Sequence, residues 1–178
     1  MHKPFIFKLL FLSVLIFSTQ NLEAQINLAE APNLYSLDIQ LFNPADSSAT
    51  SSKKAFKKGK GPVVIAFWLT TCQPCLRELS AYSKLYDNWQ KEADFQLAAI
   101  SIDYPQRFYR VGEIVQEKAF PFPSYWDGAR QFKEVLPGRL NGLPQLFIFD
   151  KNGKLVYHHK GFQTGDEVKL FEEIKKWQ

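Results

Sequence analysis

From Val63 to Leu69 the chain reads VVIAFWL without a polar residue, and after two threonines come Cys72-Gln73-Pro74-Cys75. A continuous apolar run of this length, opened by Gly61-Pro62, is the pattern of a strand covered on both faces, which demands packed layers on either side of a sheet. Immediately beyond it, Leu76, Leu79, Tyr82, Leu85, Tyr86 and Trp89 recur at helical spacing and predict a helix with one broad apolar face. A buried strand, a tight turn and an amphipathic helix in so short a stretch confine the chain to an α/β architecture. The only two cysteines among the 178 residues lie at that turn. A bond between them closes almost no loop and constrains the unfolded chain little, so a structural purpose is a poor account of the pair. The spacing points to chemistry.

The rest of the chain repeats the alternation. Leu97–Ile102 reads as a second buried strand, and Phe108, Val111, Ile114 and Val115 predict one face of a helix over Arg107–Lys118. After Phe120-Pro121-Phe122-Pro123 come a short extended piece and a helical stretch over Ala129–Val135. Gln145–Phe149 and Leu155–Tyr157 flank Asp150-Lys151-Asn152-Gly153, a hairpin signal. The last helix is expected to open with a capping box at Thr164–Glu167 and to bury Val168, Phe171 and Ile174, with Trp177 as a further candidate. The expected fold is one α/β domain whose sheet is parallel in its middle and antiparallel at the C-terminal hairpin.

At the N-terminus, His2, Lys3 and Lys8 precede a compact apolar run, Leu9–Phe17, and a polar stretch ending in Leu22-Glu23-Ala24. The run is short for a bilayer span, which needs ~20 apolar residues. The pattern predicts a secretory signal over residues 1–24, leaving 25–178 as the working domain, with an uncleaved membrane tether as the alternative. The formal net charge of +4 is mildly basic and is not the footprint of a nucleic-acid binder. The dense basic stretch Lys53–Lys60 reads as a solvated turn or short helix with Phe56 pointing inward.

At the turn, a helix starting at the first cysteine places backbone N–H groups where they favour a thiolate. Cys72 is then the exposed nucleophile for thiol–disulfide exchange, and Cys75, one turn deeper, can attack a mixed disulfide at Cys72 and release the reduced partner. Pro74 is tolerated in the first turn, where its missing N–H has no helical acceptor anyway. A zinc site would need two more ligands; the adjacent His158 and His159 point to opposite faces of a strand and chelate poorly together. No metal or other cofactor is expected beyond the redox-active cysteine pair.

The segment FWLTTCQPC resembles the active site of thioredoxin-superfamily proteins, specifically the exported TlpA/ResA-like thiol–disulfide oxidoreductases. Ala31–Tyr35 resembles the family's first strand, FWLTTCQPCLRE its catalytic strand, turn and helix, and Phe122–Asp127 the segment after its central insertion. Gly142-Leu143-Pro144 before QLFIFD resembles its cis-proline strand. The stretch from Cys72 to Pro144 is longer than in a minimal thioredoxin and leaves room for the branch's strand–helix insertion.

The resemblance implies that Cys72 attacks and Cys75 resolves, that Pro144 is the cis-proline, and that Leu143 offers its backbone to an extended substrate strand. It implies that Trp68 packs under the active-site turn and that Glu78, sharing a helix face with Cys75, tunes the thiols or relays a proton. A surface glutamate is the plain alternative for Glu78. Thr71 stands where the family usually has a tryptophan, and Ala66 where cytoplasmic thioredoxins bury an aspartate. The approach to Pro144, Phe132–Arg139, is longer than usual. The expected protein is a monomeric periplasmic reductase of disulfide-bonded exported clients, fed by a membrane-linked thiol donor. Cytochrome c maturation is a common duty in this family. An oxidase of the same fold is the nearest alternative; a copper module using the cysteines with His158 or His159, and a peroxidase, are further ones.

Overall fold

The computed structural model describes residues 27–178, so the expected signal segment lies outside the described residues. In chain order the strands and helices are β1 (Gln40–Phe42), β2 (Ala49–Ser51), α1 (Ser52–Ala55), β3 (Val63–Trp68), α2 (Gln73–Glu92), β4 (Gln96–Ser101), α3 (Phe108–Lys118), β5 (Ser124–Trp126), α4 (Gln131–Val135), β6 (Gln145–Phe149), β7 (Leu155–Lys160) and α5 (Asp166–Lys176). All seven strands join one sheet in the order β2-β1-β5-β4-β3-β6-β7. β3 runs parallel to β4, and β4 to β5, while β6 is antiparallel to both β3 and β7.

Every residue of β3 is buried, as its apolar run requires. Its side chains alternate between two cores. Val64, Ala66 and Trp68 face a cluster built with Cys75, Leu79, Val111, Ile114, Phe171 and Ile174, so α2, α3 and α5 cover that side. Val63, Ile65 and Phe67 face the other cluster, closed by Leu34, Phe56, Phe132, Leu136 and Leu140. The basic stretch supplies Phe56 to this second core and leaves its lysines in solvent. Gly61 enters β3 with φ +70°, and a Cβ there would lie 1.8 Å from the Asp94 carbonyl oxygen, so only glycine permits this approach to the end of α2.

Three local expectations change. Leu34–Ser36 is a 3-10 turn where a strand is expected, because the Asn33 side chain accepts from Tyr35 N–H and Leu34 N–H donates to the Gly153 carbonyl. The helix near Ala129–Val135 starts later, at Gln131, where the buried Asp127 carboxylate accepts from the N–H groups of Gln131 and Phe132. The capping box at Thr164 does not form. Gly165, at φ +100°, caps α5, and the Glu167 carboxylate accepts from Gly165 N–H. With the helix opening at Asp166, Leu170, Phe171 and Ile174 turn inward and Val168 is 60% exposed.

Candidate active site

The turn ahead of the cysteines is tied to the sheet. Beyond Trp68, Thr70 donates its N–H and its hydroxyl to the two oxygens of the buried Asp103 carboxylate, both at 2.8 Å. Ser101 adds its hydroxyl at 2.8 Å, and Trp126 donates Nε1–H to the Asp103 carbonyl at 2.9 Å. Asp103, just past β4, thus holds the end of β3 and β5 together.

From this clamped turn the chain enters α2 at its N-cap, Cys72, whose Sγ accepts from the Cys75 N–H at 3.2 Å. Cys72 and Cys75 form a disulfide with their Cα atoms 5.3 Å apart. Cys72 is half-buried and Cys75 is sealed, with no exposed surface. A nucleophile approaching from solvent therefore meets Cys72 first. Pro74 sits in the first turn, where no backbone hydrogen bond is lost. Trp68 is fully buried in the same cluster as Cys75, with Phe120 edge-on to its ring.

Glu78 lies three residues beyond Cys75 on α2, and it too is fully buried, which removes the surface alternative. Burial pushes its carboxyl up to about 8, opposed by a hydrogen bond that Tyr82 donates to Oε1 at 3.0 Å. The Asp166 charge pushes the same way as burial. Glu78 Oε2 is buried with no hydrogen-bond partner among the described residues. A carboxylic acid that titrates near neutral pH can both give and take a proton there.

The Leu143–Pro144 peptide is cis. Phe67 pairs with Gln145, so the antiparallel register sets Pro144 level with Trp68, at the end of β3 that leads to Cys72. Leu143 precedes the paired residues of β6 and packs against both cores. The loop is held from below. The Gln145 amide donates to the carbonyls of Asn141 and Gly142 at 3.0 and 2.8 Å, and its oxygen faces His158 Nε2 at 2.9 Å. With the Gln145 NH2 committed to two carbonyls, His158 must donate. Burial is the main cause that pulls the His158 imidazole down to about 4. The long approach, Phe132–Arg139, packs into the second core through Phe132 and Leu136, and Leu140 follows just beyond it. His159 turns to the other side of the strand, with Nε2 3.3 Å from Asp166.

Sequence reasoning missed Thr70, Asp103, Tyr82, Gln145 and Asp166. Tyr82 had a signal: it stands at i+4 from Glu78 on a predicted helix. The Thr70–Asp103 pair had none, since 33 residues separate the partners.

Comparison with known proteins follows the same lines. The family model described as AhpC/TSA matches residues 19–158. The chain is 31% identical over 150 residues to the thiol–disulfide oxidoreductase ResA of Bacillus thuringiensis subsp. konkukian, covering 83% of this chain and 76% of that protein. It is 32% identical over 119 residues to ResA of Geobacillus thermodenitrificans, covering 66% of this chain and 65% of the relative. Among solved structures, an uncharacterised thioredoxin-like protein from Porphyromonas gingivalis superposes with a TM-score of 0.66 at 30% identity, over 84% of this chain and 92% of the other.

Proposed function

The chain belongs to the AhpC/TSA family of thioredoxin-like proteins and is a thiol–disulfide oxidoreductase; from this premise we propose that it works outside the cytoplasm as a reductase of protein disulfides, through Cys72 and Cys75. The observation that carries the direction is the sealing of Cys75 in the apolar core, three residues ahead of the buried Glu78 on α2. Strong oxidants of this chemistry owe their potential to a stabilised thiolate. Here the inner cysteine sits in an apolar core, which favours a neutral thiol over a thiolate and withholds the stabilisation that makes a strong oxidant.

In the forward step the Cys72 thiolate, favoured by the α2 N-terminus, attacks a client disulfide. A Cys72–client bond forms, and the first client sulfur leaves as a thiolate that takes a proton from solvent. Glu78 then accepts the Cys75 proton on Oε2, the oxygen without a partner among the described residues. The Cys75 thiolate attacks Cys72 Sγ, the Cys72–Cys75 bond forms, and the second client sulfur departs. Leu143, unpaired in the sheet and one residue beyond the Pro144 that lies level with Trp68, offers its backbone to the extended client segment. A membrane-linked thiol donor returns the pair to the dithiol. The leader-like run Leu9–Phe17 supports export to the periplasm, where an undriven pair would stay oxidised. The clients are disulfide-bonded exported proteins, with apocytochrome c one member of that class.

The deciding measurement is the reduction potential of Cys72–Cys75 in glutathione or dithiothreitol redox buffers. The expected value lies near ~−270 mV; a value near ~−120 mV overturns the reductase reading in favour of an oxidase. In parallel, Cys75→Ala is expected to accumulate a stable mixed disulfide between Cys72 and the insulin B chain.

A further inference from the structure

The mechanism leaves one group unserved. At neutral pH Glu78 is largely protonated, so its own proton must leave before it can take the one on Cys75. A client bound at Cys72 covers the solvent side of the dithiol while this happens.

On the far side of Glu78 stands Tyr82, itself 1% exposed, with its hydroxyl on Glu78 Oε1 at 3.0 Å. Tyr82 also borders a cavity of about 10 Å³, roughly one water-sized sphere. The other polar walls of that cavity are Tyr157 and His159 from β7 and Asp166 and Lys169 from α5. Asp166 binds His159 at 3.3 Å and Lys169 at 2.9 Å, and the side chains of His159 and Lys169 are 35% and 73% exposed. Polar groups therefore run from the buried carboxyl to the surface, along a line that does not pass Cys72. Leu146 and Leu170 complete the cavity's walls, and carboxyl, hydroxyl, a one-water space and an acid–imidazole pair succeed one another in its neighbourhood.

We propose that Tyr82 and the water-sized cavity behind it form a proton exit that connects Glu78 to the Asp166–His159 pair, so that the resolving step proceeds while a protein client covers Cys72. The Tyr82 hydroxyl hydrogen, which rests on Glu78 Oε1, turns to a water in the cavity; the hydroxyl oxygen then takes the Glu78 proton as its own passes to the water, and that water passes one proton to Asp166–His159 and solvent. The freed carboxylate takes the Cys75 proton. Cys75 then attacks Cys72 Sγ, the client sulfur leaves with the electron pair of the broken bond, and it is protonated from solvent. One proton has left by the rear and one has entered at the client. Tyr82 acts through Glu78 and touches neither sulfur of the client. The inference rests on the assignment of Glu78 as the base for Cys75.

The test is single-turnover resolution of two preformed mixed disulfides at Cys72, one with the insulin B chain and one with the small 2-nitro-5-thiobenzoate group, followed from pH 5.5 to 9. Tyr82→Phe is expected to slow release of the insulin chain by ~10-fold or more below pH 8 while release of the small thiol changes little. In a Glu78→Gln background the same substitution is expected to have no further effect. Equal slowing with both leaving groups, or slowing that persists beside Glu78→Gln, overturns the exit. If Glu78→Gln slows resolution and Tyr82→Phe does not, the exit fails alone. If Glu78→Gln leaves resolution unchanged, the assignment of Glu78 fails with it.

Discussion

Burial displaces Glu78 and His158 in directions that oppose each other when stability is followed against pH. The Glu78 carboxyl rises from 4.5 to about 8, so the folded chain holds a proton that the unfolded chain releases. Its stabilising effect is complete below about pH 4.5 and fades as pH climbs to about 8, at most ~1.4 kcal/mol per pH unit. The His158 imidazole falls from 6.5 to about 4, so its effect is complete above about pH 6.5 and fades as pH drops to about 4. Between about pH 4.5 and 6.5 the two slopes offset. Above that window only Glu78 is left, and the oxidised protein is expected to lose stability from about pH 6.5 to 8. Urea unfolding of the disulfide form at pH 5, 6, 7 and 8 checks this. Glu78→Gln should flatten the upper range and expose a rise through the lower one; an unchanged fall in the variant would count against a buried acid.

Among the elements, the β3–α2 turn is governed by Asp103 and α5 by its cap. Asp103 accepts three hydrogen bonds at 2.8 Å, two from Thr70 and one from Ser101, all buried. Asp103→Ala strands those donors and is expected to cost about 2–4 kcal/mol, read by urea unfolding. It should also slow attack by Cys72, read as the alkylation rate of the reduced protein with iodoacetamide. On α5, Leu170→Ala should cost about 2–4 kcal/mol and Val168→Thr less than about 0.5. The reverse ranking would restore the Thr164 capping box. That misread element shows where local sequence stops being informative. Thr164 and Glu167 have capping-box spacing, but Glu167 bonds Gly165, and Phe171 and Ile174 turn inward with Leu170 in place of Val168. β3 and α2, by contrast, were legible at once, because an apolar run and a helical stripe need no distant partner to be read.

At the scale of the whole molecule, the legible part was the frame: one sheet, covered on both faces, with a dithiol where its central strand meets a helix. The pairing of both faces was less so. The sheet face away from α2 is closed by pieces that carry little periodicity of their own, namely Leu34 in a 3-10 turn, Phe56 after a run of lysines, and Leu136 and Leu140 around Pro137-Gly138. Such residues become core only when the sheet is present to receive them. The site divides in the same way. Cys72, Cys75 and Glu78 share one helix and could be read together, while Gln145–His158 and Thr70–Asp103 exist only once strands pair.

Trp126 lies in β5, between Cys72 and Pro144 in the chain, and its indole N–H ends on the Asp103 carbonyl. The strand β5 that carries it is therefore a buttress of the nucleophile's turn. Cutting β5 out of the chain would not yield a smaller version of the same machine. It would pull the strut from under Cys72, and size and reactivity would be lost together.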